Sequence, residues 1–520
     1  MKAKITRTNG HGDPLFALVK SLTKSEKRQF TVYVGRLGTN MDTKFHALFV
    51  LLDKMKAYDE KAILESNIVT KRQLSNLKAH LYRQILVSLR LNPAHKNIRV
   101  QIREQLDFAT VLYHKGLYRQ SLKLLDKAKT MAIENEEKNV AYEIVELEKI
   151  IETQYITRSI DTRADELSIQ AKELSYQNVI TSKLSNLSLQ LYGILLKTGY
   201  ARNDAEVQRI KEYFENRLPK FKISDLGFRE KLWLYKAHLW YSFLTQDFLM
   251  SFKYSQKWVD LFREDPKMIE INPVFYLKGR YYLLEALFYV KRFKRFKEEL
   301  ELFEEEVQSD AIPMNTNTEN IIFVYLYFSK LNWHFLEGQF QEGLYLVPKI
   351  EAKLKEMEGR IDKHHVMIFY YKIGCLYFGA GDNRMAIEYL ERIINTKTLR
   401  AREDLQCFAR VLNLVAHYEA GLDYHLERQL KETYRFLLKM ENLQEVQKEF
   451  IAAIKGLGNV YPHQVIKEFK KIHARLKKYE DHPYEKRAFL YLDILSWLES
   501  KIEHKPVDVI IREKAKTLAT

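Results

Sequence analysis

The densest group of potential ligands in the chain is His364-His365 beside Asp362. Imidazoles and a carboxylate this close together are raw material for a metal site or for general acid–base catalysis. Neighbours on a helix point about 100° apart, however, so the two rings do not converge on one ion. The pair reads as polar residues at a helix start. Carboxylates also gather at Glu298-Glu299 and Glu304-Glu305-Glu306, where the pattern is that of solvated helix faces. No HExxH, CxxC or Gly-x-Ser-x-Gly occurs, and Gly456-Leu457-Gly458 lacks the third glycine and the preceding strand of a dinucleotide loop. The only two cysteines, Cys375 and Cys407, lie inside apolar helical runs, which excludes a disulfide framework and fits a reducing compartment. No nucleophile, acid–base pair or metal set converges, so the chain is expected to be no enzyme and to need no cofactor or metal.

Two constellations point instead to binding. Arg72, Arg83 and Arg90 are 11 and 7 residues apart, which brings them within about 20° of one another around a helix axis. Lys71 and Lys78 run beside them, and Ser75, Asn76 and Ala79 are small enough for close approach. Upstream, Glu60–Glu65 forms a short helix and Ser66-Asn67-Ile68-Val69 a turn without glycine. The arrangement is similar to a helix-turn-helix reading head, with Lys71, Arg72, Lys78, Arg83 and Arg90 as candidate nucleic-acid contacts and a solvated basic helix as the plainer alternative.

The second constellation is aromatic. Trp233, Trp240 and Phe243, then Tyr281, Phe288 and Tyr289, then Tyr325, Phe328 and Phe335 recur at helical spacing. Rings facing a groove form a partly exposed apolar surface suited to an apolar peptide or an amphipathic helix. Rings packed between helices are enclosed. Both arrangements fit the spacing.

These residues require helices to carry them. Capping boxes at Thr23-Lys24-Ser25-Glu26 and Thr70-Lys71-Arg72-Gln73 open helices, and Leu74, Leu77, Leu81, Ile85 and Leu89 define the buried face of the second, which Asn92-Pro93 closes. From about residue 101 a hairpin pattern returns. Its clearest copy runs Tyr370 to Tyr377, then Gly381-Asp382-Asn383, Ala386 and Leu390; another runs Phe108-Ala109, Leu112, Gly116-Leu117-Tyr118, Ser121, Leu125, Ala128. Gly374 and Ala109 sit where helices touch, and Gly381 and Gly116 where a left-handed turn is needed. The residues two beyond each turn, Tyr118, Phe248, Phe293, Phe340, Asn383 and Asp423, mark the copies. The last four gaps are 45, 47, 43 and 40 residues, and the first, of 130, is expected to hold two further degenerate hairpins. The polar stretch Gln308–Asn320 reads as a surface loop. Val465, Phe469, Ile472 and Leu476 form the apolar face of a C-terminal cap.

The hairpin pattern resembles the tetratricopeptide repeat superfamily. Tyr370 stands at the motif's first aromatic, Ile373-Gly374 at its Leu-Gly pair, Tyr377 at its Tyr, and Ala386 and Leu390 at the Ala and Phe of its second helix. Thr398 replaces the terminal Pro, Gln105 replaces the first aromatic of the earlier copy, and the units exceed the family's standard length. The resemblance covers roughly residues 101–440 and is closest to extended variants of bacterial regulators and scaffolds. It implies an all-α, right-handed solenoid in which the first helices line a concave groove and which binds a protein or peptide partner. The stripe Trp233, Trp240, Phe243, Tyr281, Phe288, Tyr325, Phe328, Phe335 would then line that groove, without the regular Lys and Asn pattern that clamps carboxylate tails in chaperone-binding relatives.

Composition agrees with a folded helical chain. Of 520 residues, 46% are apolar and 29% charged, which argues against disorder, while Gly (18) and Pro (10) fall mostly between periodic segments. The net charge of +16 is uneven. Residues 1–100 hold 19 Lys and Arg against 7 Asp and Glu, and the remainder is nearly neutral. That asymmetry suggests an anionic partner at the N-terminal end, or a lysine-rich soluble surface. Leu15–Val19 is too short for a secretory core and no stretch is long enough to span a membrane, so a cytoplasmic location is expected. The expected organisation is a basic helical N-terminal module (1–100), a helical repeat body (101–450) and a C-terminal helical cap (451–520). The function expected is a scaffold or adaptor. The alternative is a regulator whose N-terminal module binds DNA or RNA while the repeats sense a peptide or protein.

Overall fold

A computed structural model describes residues 13–36, 40–91, 97–154, 162–396, 403–422, scattered positions between 429 and 452, 464–485 and 493–519. Residues 1–12, Asn92-Pro93, Thr398, Asp423 and Gly456-Leu457-Gly458 lie outside them. Among the described residues the protein is all-helical, with 24 α-helices and no strand, and no helix is long and apolar enough to cross a membrane. The chain divides into two compact units, residues 1–163 and 164–520.

The first unit opens with α1 (Pro14–Ser21), α2 (Lys24–Gly35), α3 (Asn40–Lys54), α4 (Glu60–Glu65) and α5 (Lys71–Leu91). The Thr23 capping box is present, with hydroxyl and Glu26 carboxylate each satisfying a free amide. Leu74, Leu81 and Ile85 of α5 are buried against Phe30, Phe45 and Phe49 from α2 and α3. Next come α6 (Ile98–His114), α7 (Tyr118–Glu134) and α8 (Lys138–Gln154), with α7 packed on α6 and α8 on α7. Ala109 lies at the α6–α7 contact, where its carbonyl accepts a hydrogen bond from the buried Ser121 hydroxyl at 2.7 Å.

Between Tyr118 and Phe248 the described residues do not form the two further hairpins expected there. A single helix of 36 residues, α9 (Arg163–Thr198), is followed by α10 (Asp204–Arg217). No Gly or Pro interrupts the chain between Arg163 and Tyr192, so nothing in the backbone ends the helix there.

The second unit then runs as helix pairs: α11 (Phe228–Leu244) with α12 (Phe248–Glu264); the short α13 (Lys267–Ile271); α14 (Pro273–Tyr289) with α15 (Phe293–Gln308); α16 (Thr316–Glu337) with the broken pair α17 (Phe340–Gly343) and α18 (Leu346–Glu356); α19 (Lys363–Gly379) with α20 (Asn383–Ile394); then α21 (Glu403–Glu419). The first helices of neighbouring pairs also touch, α14 on α16, α16 on α19 and α19 on α21. The polar stretch at 308–320 is loop only to Asn315. That residue caps α16, accepting from the amides of Asn317 and Thr318, and the Thr318 hydroxyl accepts from the Asn315 amide.

One turn recurs through both units. Two residues before each marker the backbone is left-handed, at Gly116, Gln246, Lys291, Gly338, Gly381 and Gly421. The next amide donates to the carbonyl five residues back at 2.9 to 3.1 Å, closing a Schellman motif. The five markers within the described residues each begin the second helix of a pair. Gln246 holds a conformation that favours glycine, and its side-chain amide is tied to the carbonyls of Ala201 and Tyr484 at 2.9 and 3.1 Å. Gly374 fulfils its expected role: a Cβ there would stand 3.1 Å from Leu390.

The glutamates read as a solvated face are partly a buried ionic knot. Glu299 is 1% exposed and receives Arg280 at 2.5 Å and both Arg263 and Arg295 at 2.9 Å, while Arg280 also pairs with Glu306 at 3.1 Å. Arginines from α12 and α14 reach across to α15, so Glu299 and Glu306 face protein while Glu298, Glu301 and Glu305 are exposed, a division that a charge pattern within one helix does not reveal. Of the C-terminal helices (Val465–Lys477, Ile494–Glu503 and Val507–Ala519), the first two cover α21: Phe469 and Trp497 pack on Tyr418, and the Trp497 indole donates to Glu419 at 2.9 Å. The third instead docks on the end of α16, where Arg512 donates to the Gly338 carbonyl at 3.1 Å.

Candidate functional site

A cavity of about 690 Å³ lies wholly within the second unit. Its wall is built from the faces that α11, α14, α16, α19 and α21 turn toward one another, closed by the last turns of α9. On α11 the wall residues are Trp233, Lys236, Trp240 and Phe243, and on α14 they are Lys278, Tyr281, Tyr282, Glu285 and Tyr289. Steps of three and four keep each set on one helix face. Asn186, Leu189 and Lys197 of α9, which also line the cavity, are exposed.

Six of the eight ring positions singled out in the sequence, Trp233, Trp240, Phe243, Tyr281, Tyr325 and Phe328, line this cavity; Phe288 and Phe335 do not. An open apolar groove is not what they form. Trp240 is 7% exposed, Phe288 2% and Phe335 7%. The rings pack on one another across helices: Tyr281 stacks on Tyr325 at 4.5 Å between centroids, Trp240 meets Tyr192 at 4.7 Å and Tyr282 at 5.0 Å. Core packing and wall lining, posed as alternatives, coexist here because adjacent helix faces converge around a void.

Cations are the part that sequence reasoning missed. Lys197, Arg202, Lys236, Lys278 and Lys372 are on the wall, against a single carboxylate, Glu285. Arg202 is committed to Glu206 at 2.7 Å. The Lys236 ammonium sits over Trp233 at 4.0 Å, with Phe275 at 4.8 Å and Trp258 at 5.6 Å. Burial, aided by the neighbouring Lys278 charge, pulls its pKa down to about 7; burial also lowers Lys278. Neither lysine has a carboxylate within ion-pair distance among the described residues. Lys372, fully enclosed, donates to Asn332 Oδ1 at 2.5 Å and lies within about 6 Å of Phe288, Phe328 and Phe335. Burial brings it to about 8, with Glu285 opposing. The signal was present in the chain: Lys236 follows Trp233 by three residues and Lys278 precedes Tyr281 by three, so continuing the same register would have collected both.

The histidines combine a structural place with a position on the wall. Asp362 caps α19, accepting from the His365 amide at 3.1 Å, as the helix-start reading requires. His364 and His365 also line the cavity, their ring centroids 5.5 Å apart. Among the described residues no group of three metal-ligating side chains comes together.

The second candidate surface is the outer face of α5. Lys71, Arg72, Arg83 and Arg90 are exposed there. Lys78 is not available: its ammonium pairs with Asp13 and donates to the Tyr58 hydroxyl at 2.9 Å. Arg90 meets Asp107 at 3.1 Å in a solvent-exposed pair. Between α4 and α5 the glycine-free turn is made by Asn67 in the left-handed region, φ 56°, a conformation asparagine tolerates better than most side chains.

Neither a family model, a curated protein nor a solved structure matches the chain.

Proposed function

We propose that the chain is a non-catalytic, cytoplasmic interaction scaffold: a right-handed solenoid of tetratricopeptide-like hairpins whose second unit receives a segment of a partner protein. The observation that carries this reading is the cavity of about 690 Å³ built from the facing sides of successive first helices. Its size falls in the range of roughly 300–1,000 Å³ typical of binding pockets, and its aromatic wall offers the kind of enclosed apolar seat that anchor side chains occupy. The recurring Schellman turn supports the repeat reading, and two buried free thiols, Cys375 and Cys407, suit a reducing cytoplasm. The test is affinity capture from the native cell with wild type and Trp233→Ala, with and without nuclease. Trp233 is only partly buried, so its truncation should spare the fold. A partner lost from the variant and indifferent to nuclease supports the scaffold, and identical capture by both proteins counts against the cavity as its site.

A second reading rests on a separate observation. The left-handed Asn67 joins α4 to α5 as a tight turn, and Arg72, Arg83 and Arg90 share one exposed face of α5. That is the geometry of a helix presented to a nucleic-acid groove. In this reading the chain is a regulator whose first unit binds DNA or RNA, and its mark in the capture experiment is material released by nuclease.

A further inference from the structure

Lys236 and Lys278 are partly buried on adjacent helices, close enough for the charge of one to act on the other. The wall brings five cations together with one carboxylate. Fixed charges of one sign in an apolar recess are costly in isolation, and an anion placed between them offsets that cost. Around the two ammonium groups the surface is aromatic: Trp233, Trp240, Trp258 and Tyr282 all face the same void. The indole N–H of Trp258 is buried and has no acceptor among the described residues, so the wall also holds a donor without a partner.

We infer that the cavity's occupant is an acidic segment of the partner in which a carboxylate side chain adjoins an aromatic one, the carboxylate seated between Lys236 and Lys278 and the ring against Trp240 and Tyr282. This rests on the cavity being the partner site and adds the chemistry that selects the partner. Both halves are needed. A ring alone leaves two ammonium groups uncompensated, and a carboxylate alone leaves most of the apolar wall uncovered. Lys372 does not hold the carboxylate in this arrangement, because Asn332 already accepts from its ammonium. The lowered pKa values of Lys236 and Lys278 accord with ammonium groups waiting for a counter-charge.

The test is selection from a displayed library of random linear peptides against the full chain, followed by affinity measurement on the winning peptide with wild type and with Lys236→Met/Lys278→Met. Enriched sequences should place Asp or Glu beside Trp, Tyr or Phe. The double variant should bind the winner weaker by about tenfold or more while melting no lower than wild type. Replacing that acidic residue by its amide should cost wild type a similar factor and the double variant little. Winners that are neutral or basic, or that bind both proteins equally, overturn the inference and leave the cavity reading in place. Selection that yields no peptide, or none sensitive to Trp233→Ala, removes the cavity reading and the inference with it.

Discussion

The α-carbon of Gly379, at the end of α19, packs onto the ring of Phe340 so closely that a Cβ there would lie 2.3 Å from ring carbon Cδ1. Phe340 is the first residue of α17, so this contact locks one helix pair to the next. Gly379→Ala should therefore force a shift of ring or backbone and lower stability by roughly 1–3 kcal/mol. Gly374→Leu, which overpacks the α19–α20 contact at Leu390, should do the same. Urea denaturation with both variants checks this, and an unchanged midpoint in both would remove the close-packing argument.

A larger loss is expected at the ionic knot between α12, α14 and α15. Glu299 is the shared acceptor of Arg263, Arg280 and Arg295. In Glu299→Gln the buried Arg280 keeps only Glu306 as its counter-charge. Removing one member of a buried pair costs on the order of 3–5 kcal/mol, so this variant should melt well below wild type. A solvated glutamate, which is how the sequence pattern alone reads, would tolerate the change almost freely.

Lys236 makes stability depend on pH. Its pKa falls from the ordinary 10.5 to about 7 in the folded protein. The unfolded chain thus binds the extra proton between those values, and the contribution of Lys236 to stability rises with pH across that window. Lys372, brought down to about 8, acts in the same direction. Lys236→Met removes its share, so the variant should be more stable than wild type near neutrality and the gap should close toward the upper end of the window. Denaturation of both proteins across this range measures the gap; a constant difference would mean that the amine is not desolvated.

If the first unit binds nucleic acid, affinity should fall steeply with salt as counterions are displaced. Arg72→Glu/Arg83→Glu/Arg90→Glu should abolish it with little change in melting temperature, since the exposed Arg90–Asp107 pair contributes roughly 0–1 kcal/mol. Lys78→Ala should behave in the opposite way, lowering stability because it unpairs Asp13 and Tyr58. Absence of any binding by wild type to mixed DNA or RNA at low salt would end this reading.

What the sequence disclosed, and what it withheld, follows from the range of the forces involved. The Schellman turns were legible because a left-handed residue and a helix stop are local events, and the marker residues fell on helix starts even where Gln246 or Lys291 replaced glycine. The 36-residue α9 was missed because a repeat period was extended across a stretch with no local stop signal. Glu299 was misread because two of its three partners, Arg263 and Arg280, come from α12 and α14 and are invisible to a charge pattern within α15. The aromatic rings were found, and their enclosure stood as one of two arrangements that spacing alone does not separate. Spacing assigns a helix face, whereas only the convergence of several helices decides whether that face meets solvent, protein or a void.

The first helices α11, α14, α19 and α21 are 17 residues long and α16 has 22, while the second helices α12, α15, α18 and α20 have 17, 16, 11 and 12. Because each turn is set by its own backbone hydrogen bonds, the two helices it joins need not match in length. Insertions and deletions near the far end of a second helix should therefore be absorbed there, while a single residue added to α11 or α14 would rotate every wall side chain beyond it by about 100°. What keeps the cavity wall in phase is thus the register of its residues along their helices, and the far ends of the second helices are the part that natural variation or an engineer is free to resize.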